Sequence, residues 1–313
     1  MSKKSLISIC IPVLNEEENI KFLYTELTKI IEKESANYDF EIVFTDNHSV
    51  DSTWDLIREI SINDPRVRGI RFSRNFGFQR SILFNYQESQ GDAAIQIDAD
   101  LQDPPEIISE FLRKWEEGYL VVYGVRQSRK ENILLTSFRK FGYWLIDFLS
   151  EHPIPRNAGD FRLMDRSVLE ELFKFQDYSP YLRGTISWLG HKQIGISYDR
   201  KARKKGKSKF NIFQLTKLGL DGLFSNSTVP LRFGVLIGVI AIAISILGSI
   251  YFILSKIFLD LPEGLATTNI LILFSIGINS LFLGIMGEYI GKIFLTLKGG
   301  SLAVVEEKIN FKK

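Results

Sequence analysis

Two long apolar segments near the C-terminus constrain the fold of this 313-residue chain more than any other feature. Phe233 to Ser255 contains 23 positions without a charged side chain, and Gly264 to Gly287 contains 24. A helix needs about 20 predominantly apolar residues to cross a bilayer, and helices of soluble proteins rarely lack charge for so long. We therefore predict a two-helix transmembrane hairpin at 229–297, with spans near 231–256 and 265–290. The alternative is a pair of buried core helices.

Basic residues flank this pair of segments on its outer sides. Seven of the ten residues from Arg200 to Lys209 are basic, and the further basic residues are Lys217, Arg232, Lys292 and Lys298. Because Lys and Arg are enriched in cytoplasmic loops, we expect both termini and the first 200 residues in the cytoplasm, in a multi-pass protein of the inner or plasma membrane. Two compatible roles are open for the basic run. It could neutralise phosphate groups of a ligand, and it could bind anionic lipid headgroups.

Charge and cysteine content bear on other classes of protein. The chain has 39 basic and 37 acidic side chains, a net charge of +2, and its basic run would face a membrane, so no nucleic-acid partner is predicted. The single cysteine, Cys10, cannot form an internal disulfide, and its apolar neighbours predict a buried thiol on the reducing side of the membrane.

Strand-like and helix-like segments alternate through residues 1–209, which we predict to form one cytoplasmic domain. Apolar runs rich in strand-forming residues occur at 6–12, 40–45, 67–72, 93–98 and 119–125. Helical patterns lie between them, for example at Glu17 to Glu34 and Pro104 to Glu117. This alternation predicts an α/β fold with a mostly parallel sheet flanked by helices. Ligands of such folds bind beyond the carboxyl ends of the strands, where polar residues of this chain follow several predicted strands.

One of these strand ends carries an unusual acidic motif, Asp98-Ala99-Asp100-Leu101-Gln102-Asp103-Pro104-Pro105. Asp98, Asp100 and Gln102 are spaced by two, so an extended backbone would place them on one face. Carboxylate and amide oxygens are ligands preferred by hard cations such as Mg²⁺ or Mn²⁺. The motif therefore predicts a metal site, with a solvated acidic turn as the alternative.

The motifs of this chain resemble those of family 2 glycosyltransferases. In particular they are similar to the polyprenyl-phosphate glycosyltransferases, which include bactoprenol glucosyl transferases and dolichol-phosphate mannose synthase. The resemblance covers nearly the whole chain, including the two apolar segments. It is carried by the acidic motif and by the sequences Ile11-Pro12-Val13-Leu14-Asn15-Glu16, Ser73-Arg74-Asn75-Phe76-Gly77, Gly124-Val125-Arg126, Gly159-Asp160-Phe161-Arg162 and Gly206-Lys207-Ser208-Lys209.

The resemblance implies a nucleotide-sugar-binding fold of the GT-A type, an inverting transfer and a divalent metal, Mg²⁺ or Mn²⁺. It assigns roles to matching residues: nucleotide binding to Pro12, Leu14, Glu16, Asp46 and Asp98, metal binding to Asp98, Asp100 and Gln102, catalysis to Asp160 and Asp100, and phosphate binding to Arg126, Arg200 and Lys209. The chain departs from the family pattern in two places. Asp46-Asn47-His48-Ser49 stands where relatives commonly read Asp-Asp-Gly-Ser, and Phe78 stands where they often carry a polar residue.

The chemistry of the expected acceptor bears on the role of Asp160. A lipid phosphate that ionises like other phosphomonoesters, with a second pKa near 6, is mostly a dianion at pH 7 and needs little deprotonation. Asp160 matches the family's general base, but we expect it chiefly to orient the acceptor or the sugar hydroxyls.

Two further segments have the pattern of helices that lie in a membrane interface. Residues 132–150 place Phe and Leu at spacings of three and four opposite basic and polar residues, and residues 210–228 form a second candidate. Packing against the sheet is the alternative for the first segment. Residues 298–313 are predicted to be a cytoplasmic tail.

These features together predict an enzyme that transfers a sugar, with UDP-glucose the favoured donor, to polyprenyl (undecaprenyl) phosphate. One alternative is a processive polysaccharide synthase, although the chain lacks the Gln-x-x-Arg-Trp sequence and the additional spans of those enzymes. Another is a non-catalytic membrane scaffold with a nucleotide-binding fold. The sequence leaves the sugar, the nucleotide base, the lipid length and the oligomeric state open, a homo-oligomer included.

Overall fold

Strands and helices alternate along the first 200 residues of the computed structural model, which describes residues 4–127, 158–175, 180–200, 229–258, 264–298 and 300–311. The strands are β1 Ser5–Val13, β2 Tyr38–Asp46, β3 Val67–Phe72, β4 Ala93–Gln96, β5 Val121–Arg126, β6 Ala158–Asp165, β7 Gln193–Tyr198 and β8 Val305–Ile309. The helices are α1 Glu17–Glu34, α2 Thr53–Asn63, α3 Phe78–Glu88, α4 Ile108–Glu116, α5 Arg166–Leu172, α6 Leu182–Leu189, α7 Val229–Phe258 and α8 Leu265–Lys298, with a short 3₁₀ helix at Pro105–Ile107.

The eight described strands form one sheet in the order β7-β5-β6-β4-β1-β2-β3-β8. β4, β1, β2 and β3 are parallel to one another, and β5 is parallel to β7. β6 runs antiparallel to both of its neighbours, and β8 runs antiparallel to β3. The predicted α/β class, with a mostly parallel sheet flanked by helices, is therefore confirmed.

Helices cover both faces of this sheet, which explains why its central strands are continuously apolar. Ile7, Ile9 and Ile11 of β1 point to one face and pack in a core with α1, α2 and α4. Cys10 points to the other face and packs in a core with α3, α5 and α6. Cys10 is fully buried, as predicted, and burial raises the pKa of its thiol well above the ordinary value.

Helix α1 has the bounds that its sequence pattern predicts. Its buried apolar side chains recur at helical spacing and form one stripe against the sheet. They are Ile20, Leu23, Leu27, Ile30 and Ile31.

The C-terminal residues return to the sheet as strand β8, which the predicted tail at 298–313 did not include. β8 pairs with β3, and Asn310 Nδ2 donates hydrogen bonds to the carbonyl oxygens of Ser61 and Val67. Glu307 accepts hydrogen bonds from Trp54 Nε1 at 2.9 Å and Arg58 Nη2 at 2.8 Å. Periodicity in a five-residue segment is too short to predict a strand whose partner lies more than 200 positions earlier.

The two apolar segments form the long helices α7 and α8. By length and composition, Phe274–Leu297 within α8 is a candidate membrane span, and α7 contains the shorter apolar segment Gly234–Gly248. The helices touch each other, since a Cβ atom on Gly234 would lie 2.8 Å from the Phe282 ring. A two-span hairpin stays a prediction.

Several predicted features lie outside the described residues. These are the interfacial helices at 132–150 and 210–228, Lys209, and the basic run beyond Arg200.

Candidate active site

The predicted site residues that the structure describes gather at the edge of the sheet where the parallel strands end. β1, β2, β4, β5 and β7 all terminate there. Because β6 is antiparallel, its first residues lie at the same edge, which brings Asp160 close to the acidic motif. Asp160, Asp100 and Asp103 are near enough to act electrostatically on Asp98. Sheet topology thus joins segments that are distant in sequence.

The loops after β1 and β2 form one end of the site and are tied together by Ser49. Ser49 donates from its hydroxyl to Asp46 Oδ1 at 2.5 Å and accepts from the backbone N–H of Asn15 at 2.8 Å. Asp46 is fully buried, and burial raises the pKa of its carboxyl against the opposing effect of the Ser49 hydrogen bonds.

The other residues predicted to bind the nucleotide lie around the same loops. Pro12 is buried in β1 beside Thr45 of β2, and Leu14 is half-buried just beyond the end of β1. Glu16 precedes α1, donates its backbone N–H to Thr53 Oγ1 and accepts a hydrogen bond from Asn19. The structure therefore brings Pro12, Leu14 and Glu16 together with Asp46.

The Arg-Asn-Phe-Gly motif has a structural role at this end of the site. Asn75 Oδ1 accepts hydrogen bonds from Asn47 Nδ2 at 2.9 Å and from the backbone N–H of Gly77 at 2.8 Å. Asn47 Oδ1 accepts in turn from the backbone N–H of Phe76. These reciprocal bonds fix the loop after β3 against the loop after β2.

The acidic motif forms a turn, so the extended backbone assumed from its spacing is wrong. β4 ends at Gln96, and Leu101 adopts a left-handed conformation with φ 56°. The buried side chains of Ala99 and Leu101 anchor the turn, and Asp100 Oδ1 accepts from the backbone N–H of Gln102 at 3.1 Å. A local turn, rather than strand alternation, decides where the motif's oxygens lie.

Negative charge is concentrated at this turn. Burial and the carboxylates of Asp103, Asp100 and Asp160 raise the pKa of Asp98 to about 7, although a hydrogen bond from Gln96 acts in the opposite direction. A divalent cation held by oxygens of Asp98, Asp100 and Gln102 would offset this repulsion, so the donor set fits Mg²⁺ or Mn²⁺. Within the described ranges no group of three or more His, Cys, Asp or Glu side chains could hold a metal, and substrate phosphates commonly complete magnesium sites.

Asp103 has a different role from the other acids of the motif, and sequence reasoning did not assign one. It is fully buried and accepts a hydrogen bond from Tyr198 Oη at 2.5 Å. It also contacts both arginines predicted to bind phosphate, with Arg126 Nη2 at 3.2 Å and Arg200 Nε at 3.6 Å. Asp103 therefore fixes these two arginines next to the turn of the acidic motif. The only sequence signal was the extension of the motif by Gln-Asp-Pro-Pro.

Two glycines of the family motifs allow this cluster to close. A Cβ atom on Gly124 would lie 2.5 Å from a ring carbon of Tyr198, and one on Gly159 would lie 2.8 Å from Arg126 Nη2. A larger residue at Gly124 would clash with the Tyr198 ring, and one at Gly159 would displace the end of the Arg126 side chain from its present position. This steric requirement explains the glycine preceding Arg126 by two residues and the glycine preceding Asp160.

Asp160 is held by a partner that sequence reasoning missed. Arg183 of α6 donates from Nε to Oδ1 at 2.9 Å and from Nη2 to Oδ2 at 2.7 Å, in a two-point ion pair. Burial acts to raise the pKa of Asp160, but the charges of Arg183, Arg162 and Arg126 outweigh it and lower the pKa to about 2. An efficient general base has a pKa near the working pH, so Asp160 is poorly suited to accept a proton in this arrangement.

Comparisons with known proteins agree with the motifs. Residues 8–173 match the model of the family described as "Glycosyl transferase family 2". The chain is 38% identical to the uncharacterized glycosyltransferase YkcC of Bacillus subtilis, over 98% of this chain and 95% of that protein. It is 36% identical to the bactoprenol glucosyl transferase of Shigella phage SfX, over 93% and 96% of the two chains. A bactoprenol glucosyl transferase of Shigella flexneri is 34% identical, over 96% and 97%.

Proposed function

Since this chain belongs to glycosyltransferase family 2, we propose that it transfers a sugar from a nucleotide-sugar donor to a polyprenyl phosphate at the cytoplasmic face of a membrane. One observation carries the proposal. The similarity to proteins named bactoprenol glucosyl transferase extends over at least 93% of this chain, through the sheet and both long apolar helices. Those names also favour glucose, and hence UDP-glucose, as the donor sugar.

The donor is proposed to bind along the carboxyl edge of the parallel strands. The tied loops that contain Leu14, Glu16 and Asp46 would hold the nucleoside, and Asp98, Asp100 and Gln102 would hold a divalent cation at the diphosphate. When bound there, that cation would stabilise the charge that develops on the leaving nucleoside diphosphate. This placement follows the rule that ligands of open α/β sheets bind beyond the strand ends.

The transfer is proposed to be a direct displacement with inversion. An oxygen of the lipid phosphate would form a bond to the anomeric carbon of the sugar, while the bond from that carbon to the nucleoside diphosphate breaks. Because the acceptor is mostly a dianion at neutral pH, no strong base is needed. The pair of Asp160 and Arg183 would therefore orient the acceptor or the sugar rather than remove a proton.

Positive charge near the turn is proposed to receive the lipid phosphate. Arg126 and Arg200 both contact the carboxylate of Asp103, at 3.2 Å and 3.6 Å, so two guanidinium groups lie beside the turn. Their positive charge would reduce the repulsion between the anionic acceptor and the anionic donor. Lys209, in the basic run, is proposed to add to it.

The long helices are proposed to form a membrane hairpin with both termini in the cytoplasm. The apolar side chains of α7 and α8 are largely exposed, including Val235, Leu247, Leu271 and Phe274. Exposed apolar surfaces of this length are unfavourable in water, and the acyl chains of a lipid bilayer would cover them.

A donor panel tests the proposed function. Membranes containing the full chain would be incubated with labelled nucleotide sugars, undecaprenyl phosphate and Mg²⁺ or Mn²⁺, and the lipid fraction would be analysed. We expect one labelled monosaccharide on the lipid phosphate, dependent on the cation and on added lipid. A polymeric product would indicate a processive synthase instead, and nucleotide binding without turnover on any donor would indicate a scaffold.

A further inference from the structure

Strand β8 joins the sheet through an irregularity that changes the direction of one side chain. Arg71 of β3 pairs with Glu307, but the next residue, Phe72, pairs with Val305, so Glu306 is an extra residue without a partner in β3. Such β-bulges redirect side chains and are frequent beside functional sites. Here the bulge lies at the end of β3, next to the loops that carry Asp46 and His48.

Glu306 contacts two residues of the nucleoside end of the site. Its Oε2 atom lies 3.4 Å from Arg71 Nε and 3.6 Å from His48 Nδ1. His48 has a left-handed backbone with φ 67°, and its Nδ1 also lies 3.0 Å from the carbonyl oxygen of Phe72. Two oxygen atoms, one of Glu306 and one of the backbone, therefore face Nδ1 of His48.

Arg71 is shared between two carboxylates. Its Nε lies 3.8 Å from Asp46 Oδ2 and 3.4 Å from Glu306 Oε2, and Nη2 donates to the carbonyl oxygen of Ser49 at 3.3 Å. In the described part of the chain, the buried Asp46 Oδ2 and Arg71 Nε make no hydrogen bond. Asp46 therefore keeps a buried acceptor that its nearest cation does not occupy.

We propose that Glu306 is a positioning residue of the donor site, which holds Arg71 away from Asp46 so that Asp46 Oδ2 can accept a hydrogen bond from the nucleoside of the donor. The inference rests on the proposed function, because it names the ligand as the nucleoside part of a nucleoside diphosphate. It also means that a strand following the second long helix completes the donor site.

The physical reason is competition between two carboxylates for one guanidinium. If the charge of Glu306 is removed, Arg71 is expected to form a closer pair with the buried Asp46, since hydrogen-bonded ion pairs strengthen as water is excluded. The nucleoside would then have to displace Arg71. The bulge places Glu306 beside Arg71, although the strand partner of Arg71 is Glu307.

The test compares two neighbouring glutamates in the full-length protein. Glu306→Gln keeps the size of the side chain and removes only its charge. Glu307→Gln makes the same change one position along the strand, where the carboxylate accepts hydrogen bonds from Trp54 and Arg58 and acts on Arg71 only as a weaker electrostatic effect. Calorimetry with UDP and with GDP, each with Mg²⁺, would measure binding, and a thermal scan without nucleotide would measure stability. Steady-state assays would give the donor KM and kcat separately.

We expect Glu306→Gln to weaken binding of the preferred nucleotide, and to raise the donor KM, by about threefold to fivefold, as for a partly exposed charge contact. kcat and thermal stability should stay close to the unaltered values. Glu307→Gln should lower thermal stability, because its hydrogen bonds to Trp54 and Arg58 are weakened, and should change nucleotide affinity less than Glu306→Gln does.

A double-mutant cycle tests whether Glu306 acts through Arg71. In an Arg71→Gln background, Glu306→Gln should produce no further change in nucleotide affinity, because the shared cation is absent. Equal affinity in Glu306→Gln and the unaltered protein would overturn the inference, as would an additive effect in the cycle. Failure of the unaltered protein to bind any nucleoside diphosphate, UDP and GDP included, would overturn the proposed function as well.

Discussion

At the scale of single residues, the partner of each acid decides its chemistry. Asp98, Asp103 and Asp160 lie at one sheet edge but differ in their surroundings. Asp98 is crowded by other carboxylates, Asp103 is bonded to Tyr198 and two arginines, and Asp160 is paired with Arg183. Charge crowding suits Asp98 to a cation, while the ion pairs make the other two acids fixed elements of the site.

The first prediction concerns the metal site proposed at the acidic turn. Asp100→Asn should abolish most metal-dependent nucleotide affinity and nearly all transfer, because an amide is a weaker cation ligand than a carboxylate. The measurement is UDP or GDP binding as a function of Mg²⁺ or Mn²⁺ concentration. Asp92→Asn is a matched control, since Asp92 is exposed at the opposite edge and its carboxylate accepts a hydrogen bond from the backbone N–H of Leu6. Metal dependence that is unchanged in Asp100→Asn would remove this residue from the metal site.

The second prediction separates two roles for Asp160. Asp160→Asn should retain nucleotide binding and lose most turnover, and its remaining activity should rise through about pH 6 as the lipid phosphate becomes a dianion. The measurement is the pH–rate profile of the variant at saturating donor and acceptor. If the loss largely disappears once the phosphate is fully dianionic, Asp160 serves to remove a proton and the orienting role is wrong.

The same ion pair has a consequence for stability. The pKa of Asp160 lies at about 2, below the ordinary value of about 3.9, so the pair stabilises the fold fully above about pH 4. That contribution is lost as the pH falls from about 4 towards 2. Asp160→Asn should therefore flatten the acid branch of a urea-unfolding profile over this window.

At the scale of secondary-structure elements, β8 is an integral part of the sheet. It covers the edge of β3, and its Glu307, Asn310 and Lys308 bond to α2, the α2–β3 region and α3 respectively. An element with such contacts contributes to the stability of the domain, because an uncovered strand edge leaves backbone groups unpaired.

The third prediction tests this element. Deletion of residues 300–313 should lower the melting temperature and weaken nucleotide binding, since both the edge pairing and Glu306 are lost. Deletion of residues 312–313 alone is the control, because β8 ends at Ile309. Thermal scans and UDP or GDP titrations would measure the two effects. Unchanged values in the longer deletion would show that β8 is dispensable.

At the scale of the whole molecule, the two long helices lie between the two edge strands of the sheet in the order of the chain. β7 precedes α7 and lies at one edge, whereas β8 follows α8 and lies at the other. The helix pair is thus linked to both ends of the catalytic domain. A truncated protein that ends near Asn226 would lose β8 together with the helices. Its activity would therefore not report on the helices alone.

The fourth prediction therefore keeps β8. Replacement of residues 229–298 by a flexible linker should preserve nucleotide binding, because every described residue of the donor site remains. Transfer to undecaprenyl phosphate in liposomes should fall strongly, since the proposed membrane anchor is absent, whereas transfer to a short, water-soluble polyprenyl phosphate should fall less. The comparison of these two acceptors is the measurement. Full activity on the liposome acceptor would show that the helices are not needed for access to the lipid.

The sequence alone determined five of the eight described strands and the sheet edge at which they end, whereas β6, β7 and β8 were not predicted. Strand patterns, the bounds of α1 and the two apolar helices follow from local periodicity, and the family motifs placed Asp46, Asp98 and Asp160 at a common site. The conformation predicted for the acidic motif from its spacing was wrong, because Leu101 turns the chain where an extended backbone was assumed.

Only the tertiary structure decided which charged groups meet. Asp160 pairs with Arg183 across 23 positions, Asp103 with Tyr198 across 95, and Trp54 with Glu307 across 253. These contacts depend on strand order, on the antiparallel β6 and on a bulge in β8, none of which leaves a periodic pattern in the sequence. Local forces specify each strand and helix, whereas the pairing of distant side chains is set by how the completed sheet brings their ends together.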